Sequence, residues 1–351
     1  MATQADVVAA LRSVQFPGID RDIVTLGYVK DVTESAGRFR VRVELSPTAS
    51  TAADAIDASI RNALERAEIP YELELKTQKP AAPAAAAPSA GDSDPLAHVP
   101  FKIAVSSGKG GVGKSTVAVN LAVALAKQGL RTGLLDTDIY GPSIPLMMGL
   151  EDSQPLLDEE NNRLIPLERY EVKNISIGYL VDRHTPVIWR GPMIGKAIDQ
   201  LMRDVDWSDI DVLLFDLPPG TGDIQISLAQ KVVLSGAVVV TTPQDVALID
   251  AAKGVEMFRK TDVPILGIVE NMSFFACPHC GERTDIFGSG GGEKEANRMD
   301  VPFLGRIPLE PSIRIGGDEG RPIVVREPES AAARAFLDVA ASLAASLQMS
   351  R

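Results

Sequence analysis

The chain has 351 residues, with 35 Lys and Arg against 47 Asp and Glu and a formal net charge of −12. That acidic surplus disfavours non-specific binding to DNA or anionic lipid, which are themselves negative. Only two cysteines are present, which excludes a disulfide scaffold and a complete four-thiolate metal site within one chain.

The N-terminal residues 1–12 include Asp6 and no long apolar run, unlike a secretory signal. No stretch reaches the roughly 18 continuous apolar residues of a membrane span. The expectation is a cytoplasmic protein with neither a membrane nor a nucleic-acid partner. Residues 5–13 predict a helix with Val7, Val8 and Leu11 on one face. Residues 23–30 and 38–45 predict strands. In the second, Phe39, Val41, Val43 and Leu45 alternate with Arg38, Arg40, Arg42 and Glu44. Residues 51–67 predict another helix and 71–75 a last strand. Together, residues 1–78 read as a small α/β domain without an evident catalytic constellation.

Residues 79–98 break the composition. They carry Pro80, Pro83, Pro88 and Pro95, many alanines and almost no large apolar side chains. Such a stretch buries too little surface to fold, and proline keeps it extended, so it reads as a tether. Residues 99–351 then alternate strand and helix signals. Strands are predicted at 101–106, 132–136, 212–216, 237–241 and 265–270, and helices at 114–128 and 331–349. In the last helix Phe336, Val339, Leu343 and Leu347 share one face. Short Val- and Leu-rich runs separated by helices specify an α/β fold with a doubly wound, mostly parallel sheet.

Between the first of these strands and its helix lies Gly108-Lys109-Gly110-Gly111-Val112-Gly113-Lys114-Ser115, followed by Thr116. It satisfies G-x-x-x-x-G-K-[ST] in the required strand–loop–helix context, so the fold is of the P-loop NTPase type. The glycines let backbone N–H groups curve around phosphates, and the helix N-terminus adds positive partial charge. Lys114 is expected to reach the β- and γ-phosphates of a nucleotide, and Ser115 to ligate Mg²⁺. Two further strands end in carboxylates, Asp136-Thr137-Asp138 and Asp216. C-terminal strand ends are where open α/β sheets bind ligands. Asp216 fits the group that steers Mg²⁺ through water, and Asp138 is the candidate for positioning or activating the attacking water. Asp136 fits a more remote partner of Mg²⁺. Residues 217–223, LPPGTGD, follow as a stiff, glycine-hinged switch.

The two cysteines form Cys277-Pro278-His279-Cys280, followed by Gly281-Glu282-Arg283. A thiol redox pair belongs at a helix N-terminus, whereas this context predicts an open loop. A zinc knuckle needs a second CxxC, and none exists. Two chains sharing the site would supply four thiolates, which suits a 4Fe–4S cluster and also suits zinc. His279 is read as a spacer.

The loop GKGGVGKS, with its additional Lys109, resembles the deviant Walker A group of ATPases. The resemblance implies a homodimer in which Lys109 reaches the nucleotide of the other subunit. On the wider set of motifs the chain resembles the Mrp/ApbC family of iron–sulfur cluster carriers. Those motifs are DTDIYGPS at 136–143, WRGPM at 189–193, DLPPGTGD at 216–223 and TTPQDVA at 241–247. They continue with ENMS at 270–273, CPHCG at 277–281, IFG with GGG at 286–292, and GRIP at 305–308. The resemblance covers most of residues 101–325. It implies ATP hydrolysis, an adenine contact from Asn271, and a 4Fe–4S cluster bridging two copies through Cys277 and Cys280. It also implies scaffold proteins that supply the cluster and apo-proteins that receive it. Residues 1–78 more weakly resemble a domain of iron–sulfur assembly proteins, here without any cysteine. Three other readings share parts of this pattern. A ParA- or MinD-like positioning ATPase would not need CxxC. An electron-transfer ATPase like the nitrogenase iron protein would have its ligands far apart in sequence. A zinc-bridged structural dimer would use the same four thiolates.

Overall fold

Runs such as Val212–Asp216 are apolar on both sides, and a strand of that kind is stable only when both faces are covered. The computed structural model shows how this is met; it describes residues 3–14, 22–25, 28–35, 38–45, 53–67, 69–77, 94–181, 191–277 and 279–349. The chain divides into two compact units, residues 1–91 and 92–351.

The first unit contains α1 (Gln4–Arg12), β1 (Val29–Ser35), β2 (Arg38–Leu45), α2 (Ala53–Arg66) and β3 (Tyr71–Thr77). Its sheet has the order β1-β2-β3, antiparallel then parallel. Val7, Leu11, Phe39, Val41, Val43, Ile56, Ile60 and Leu64 form its core, so both helices and the alternating strand present the predicted faces. One strand departs from expectation. Residues 23–30 were predicted as a strand, but the strand is Val29–Ser35. Ile23 is buried in a turn whose Asp22 carboxylate accepts from Val24 N and Thr25 N at 3.0 and 2.8 Å. An apolar residue held by an Asx-type turn mimics a strand signal. The true strand buries Val32 and leaves Asp31, Thr33 and Glu34 exposed, so it lacks a strong apolar pattern.

The second unit opens with β4 (Phe101–Ser107), α3 (Lys114–Lys127), β5 (Thr132–Asp136), α4 (Ile144–Met147), β6 (Leu156–Asp158), β7 (Arg163–Ile165), β8 (Leu167–Arg169) and β9 (Val172–Ser176). It continues with α5 (Gly191–Arg203), β10 (Val212–Asp216), α6 (Asp223–Lys231), β11 (Gly236–Thr241), α7 (Asp245–Lys260) and β12 (Ile265–Glu270). The last elements are β13 (Phe275–Ala276), β14 (Arg283–Thr284), α8 (Gly291–Arg298), β15 (Phe303–Arg306), α9 (Pro311–Asp318), α10 (Ile323–Arg326) and α11 (Ala331–Ser346). The main sheet has the order β15-β12-β11-β4-β10-β5-β9-β8. Every pair is parallel except the edge pair β8–β9, as the α/β expectation requires. Alternation within the strands builds two cores. Ile103, Val105, Val212, Leu214, Val238 and Val240 join α3 and α11 on one face. Ala104, Leu213, Phe215, Val239 and Ile268 join α5, α6 and α7 on the other. No described helix is long and apolar enough to cross a membrane.

The tether read over 79–98 lies outside the described residues up to 93. Its last residues are packed. Leu96 is fully buried, and Lys102 of β4 pairs with Asp94 Oδ2 at 2.9 Å and donates to the Leu96 carbonyl at 3.1 Å. Asp94 and Leu96 therefore belong to the second unit's wall.

Candidate functional site

The central strand β4 delivers the glycine loop to the C-terminal edge of the sheet, between β10 and β11. The loop's shape is forced at both ends. A Cβ on Gly108 would lie 2.1 Å from the Asp250 carbonyl carbon of α7, so only glycine lets the loop approach that helix. Gly113 has φ +80°, and a Cβ there would meet Asn271 Nδ2 at 2.3 Å. Ser107 Oγ donates to the Lys109 carbonyl at 3.0 Å. Lys109 itself is half-buried, and Gly110 and Gly111 are exposed. Val112 is buried beneath the loop. Ser115 and Thr116 open α3 beside Lys114 and are half-buried.

Parallel register places the carboxylates. Asp216 of β10 pairs with Asp136 of β5, and Asp136 pairs with Ser176 of β9. Lys114 Nζ reaches Asp216 Oδ1 at 2.5 Å, Ser115 Oγ at 3.1 Å and Asp138 Oδ2 at 3.9 Å. Lys114, Ser115, Asp138 and Asp216 thus meet in one place. Asp216 Oδ2 is buried and has no hydrogen-bond partner. A carboxylate oxygen in that condition, beside the Ser115 hydroxyl, fits a water-ligated Mg²⁺.

Asp136 lies behind this group. It accepts from Ser176 Oγ at 2.8 Å and from Asp138 N at 3.0 Å, which fixes the turn that presents Asp138. Burial, followed by the Asp216 charge, pushes the Asp136 carboxyl up to about 8. Burial also raises Asp138, opposed by the Lys114 charge and assisted by Asp216. The raised Asp136 has a consequence for stability. The folded chain keeps its proton to higher pH than the unfolded chain, whose carboxyl titrates near 3.8. Its contribution is therefore complete below that value and is lost as pH rises towards about 8. In Mg²⁺-free buffer, Asp136→Asn is expected to remove a slope of about 1.4 kcal/mol per pH unit across that window. Urea unfolding followed through the buried Trp207 measures it, and an unchanged slope would refute the assignment.

Asn271 stands just after β12 and is almost fully buried. Its Nδ2 donates to the Val112 carbonyl at 2.8 Å. This amide braces the phosphate loop from behind, an arrangement that strand-end position alone does not reveal. Two residues that the sequence left without a role, Ser176 and Asp250, join the site, and both come from elements whose neighbours only the fold defines.

The cysteines lie apart from that cluster, at the tip of a β-hairpin. Phe275 and Ala276 pair with Thr284 and Arg283. Cys277 N donates to the Glu282 carbonyl at 2.9 Å, Gly281 N donates back to the Cys277 carbonyl at 2.8 Å, and Gly281 has φ +75°. Cys277 is half-buried and Cys280 exposed, and both are free. Backbone N–H groups of His279 and Cys280, then the Cys280 side chain, hold the Cys277 thiol below its usual range. That favours the thiolate, the form that ligates metal. Among the described residues no group of three or more His, Cys, Asp or Glu side chains is placed to hold a metal ion.

The parallel sheet, the glycine loop at its central strand and the carboxylates beside Lys114 define a P-loop NTPase. The family model described as NUBPL iron-transfer P-loop NTPase matches residues 98–344, and that of an iron–sulfur cluster assembly protein matches residues 4–70. The chain belongs to the NUBPL iron-transfer P-loop NTPase family. It is 42% identical over 349 residues to an iron–sulfur cluster carrier protein of Helicobacter pylori, covering 99% of this chain and 94% of that one. It is 51% identical over 247 residues to the iron–sulfur cluster transfer protein NUBPL of Dictyostelium discoideum, covering 70% and 76% of the two chains. A nucleotide-binding protein of Archaeoglobus fulgidus, solved in complex with ADP and with Co, superposes with a TM-score of 0.61. Its identity is 40% over 70% of this chain and 96% of that one.

Proposed function

We propose that the protein is an ATP-hydrolysing iron–sulfur cluster carrier that holds a 4Fe–4S cluster between two copies through Cys277 and Cys280 and delivers it to apo-proteins. The observation that carries this reading is the pairing, in one unit, of a phosphate loop with a two-thiol hairpin whose Cys280 is exposed and Cys277 half-buried. One chain offers two thiolates where a cluster needs four, so a second copy completes the set. Val246 and Ile249 are exposed on α7, the helix against which Gly108 packs. Apolar side chains beside the phosphate loop support a two-fold contact there, and that contact would let Lys109 reach across. The domain reading of residues 1–78 and 99–351 rests on the separate matches and units already described. A scaffold protein as cluster donor and cytoplasmic residence complete the proposal.

The site residues then take distinct roles. Backbone N–H groups of the loop from Gly108 to Thr116 receive the phosphates, and Lys114 swings from Asp216 to the β- and γ-phosphates. Asp138 accepts a hydrogen bond from the attacking water and aligns it with the γ-phosphorus. The γ-phosphoryl passes to water, and ADP and phosphate leave. Ser115, and Asp216 through water, would hold Mg²⁺, which would supply positive charge to the phosphates. Asn271 is proposed to serve the adenine while bracing the loop.

If Lys109 acts across the dimer, Lys109→Ala should lower hydrolysis severely, by about 10²-fold or more as for loss of a transition-state charge donor, while ATP still binds. In a mixed dimer that carries Lys109→Ala in one chain and Lys114→Ala in the other, trans action leaves one nucleotide with both lysines intact. That site sits in the chain with Lys109→Ala, because its own Lys114 and its partner's Lys109 both survive. Cis action leaves neither site complete, so a fully inactive mixed dimer counts against the assignment. The whole reading is tested by anaerobic reconstitution, with the visible spectrum, iron, sulfide and zinc measured, followed by transfer to an apo-protein with and without ATP. A colourless, zinc-only product would sink it.

A further inference from the structure

Glu270 ends β12 and is completely buried. It is saturated by the chain itself. Ser273 Oγ donates to Oε1, Gly290 N donates to Oε1 at 3.1 Å, and Gly292 N donates to Oε2 at 2.6 Å. The Arg306 guanidinium lies 3.7 Å from Oε1 and also pairs with Glu293. Such a carboxylate caps α8, where the helix N-terminus favours negative charge. Gly292 is close-packed on it, since a Cβ there would sit 3.0 Å from Glu270 Cβ.

The placement of these donors in sequence is informative. Ser273 immediately precedes residues 274–289, and Gly290 immediately follows them. That excursion carries the cysteine hairpin. Both of its ends are therefore fastened to one buried carboxylate. Within it, Arg283 stacks over Phe274 and donates to Ser289 Oγ at 2.8 Å, which joins the outgoing and returning arms. The residue next to Glu270 is Asn271, whose amide holds the Val112 carbonyl of the phosphate loop. Met272, with φ +54°, makes the turn that brings Ser273 back to Glu270. Left-handed backbone at a non-glycine residue is retained only where surrounding contacts fix it.

Resting on the nucleotide-site and cysteine-site readings above, we propose that Glu270 is a positioning residue for the cysteine loop. It clamps both ends of residues 274–289 and, through Asn271, links them to the phosphate loop, so that nucleotide binding changes the mobility of Cys277 and Cys280. The link runs through hydrogen bonds at each end and the peptide bond between Glu270 and Asn271, and needs no contact between nucleotide and cluster.

The test uses the full-length protein without cluster, and Mg–ADP as the probe. Amide hydrogen exchange is read by mass spectrometry, and ADP affinity is measured by calorimetry on the same samples. In the parent protein, ADP is expected to slow exchange in residues 274–289 as well as in the phosphate loop. Glu270→Gln puts an NH2 donor in place of one carboxylate oxygen, so one of the two glycine N–H groups loses its acceptor and the other keeps only a neutral one. It should bind ADP within about twofold of the parent while the excursion exchanges about tenfold faster, the scale of losing one bond to a charged group. The ADP effect on residues 274–289 should vanish. Ser273→Ala, a milder change, should weaken the effect in the same direction. Parent protein that binds ADP without altering exchange at the cysteines overturns the clamp alone, as does a Glu270→Gln variant that keeps the full ADP effect. Parent protein that fails to bind ADP overturns the nucleotide-site reading itself.

Discussion

Lys114→Ala is expected to cut ATP hydrolysis by at least about 10²-fold, the scale of removing one preorganised charge donor from a transition state. It is also expected to destabilise the fold, and the two effects have separate causes. Hydrolysis falls because Lys114 is the side chain assigned to the β- and γ-phosphates. Stability falls because Lys114 Nζ now lies 2.5 Å from the buried Asp216 carboxylate and 3.9 Å from Asp138. Removing one member of a buried ion pair leaves an uncompensated charge, at a cost of about 3–5 kcal/mol. The causes are separated by the double variant Lys114→Met with Asp216→Asn. It removes the orphaned charge and should recover most of the lost stability while hydrolysis stays absent. Steady-state phosphate release and urea unfolding on the same preparations decide the matter. Unchanged hydrolysis in Lys114→Ala would refute the assigned role.

The contrast between the two halves of this site shows what a sequence can carry. The phosphate loop was legible because its signals are local: an apolar strand, glycines at positions where a Cβ has no room, and a lysine and a serine opening a helix. Strand limits at 132–136, 212–216 and 265–270 coincide with the observed ones for the same reason, since each run is apolar on both faces and ends at a carboxylate. What was not legible is lateral. Asp136 meets Ser176 because β5 and β9 are neighbours in register, and no spacing in the chain announces that neighbour. Glu270 collects Ser273, Gly290 and Gly292 from both sides of an excursion, so its role exists only once the excursion closes. The misplaced strand near residue 23 has the complementary cause. Ile23 is apolar because it fills the core from a turn, whereas Val29–Ser35 offers the core Val32 while Asp31, Thr33 and Glu34 stay exposed.

Cys277→Ser and Cys280→Ser should each abolish retention of an iron–sulfur cluster and leave nucleotide binding intact. The hairpin survives either change because its closing bonds are backbone ones, between Cys277 and Glu282 and between Gly281 and Cys277. What is lost is a thiolate. A serine hydroxyl does not ionise in the physiological range, so each variant removes one anionic ligand per chain and two per pair of chains. Changes in groups that merely orient a ligand cost about 10–100-fold in metal affinity, and loss of the ligands themselves should exceed that. Iron, sulfide and the visible spectrum after anaerobic reconstitution provide the readout, with ADP titration as the control. A purified mixed dimer of one parent chain and one chain bearing both serine changes takes the argument further. A cluster held within single chains would survive in the parent half, giving half the iron of the parent dimer. A cluster bridging two chains has only two of its four thiolates in that dimer and should be absent. Half occupancy would therefore remove the second copy from the site, and with it the reason that a chain with two cysteines was read as half of a carrier.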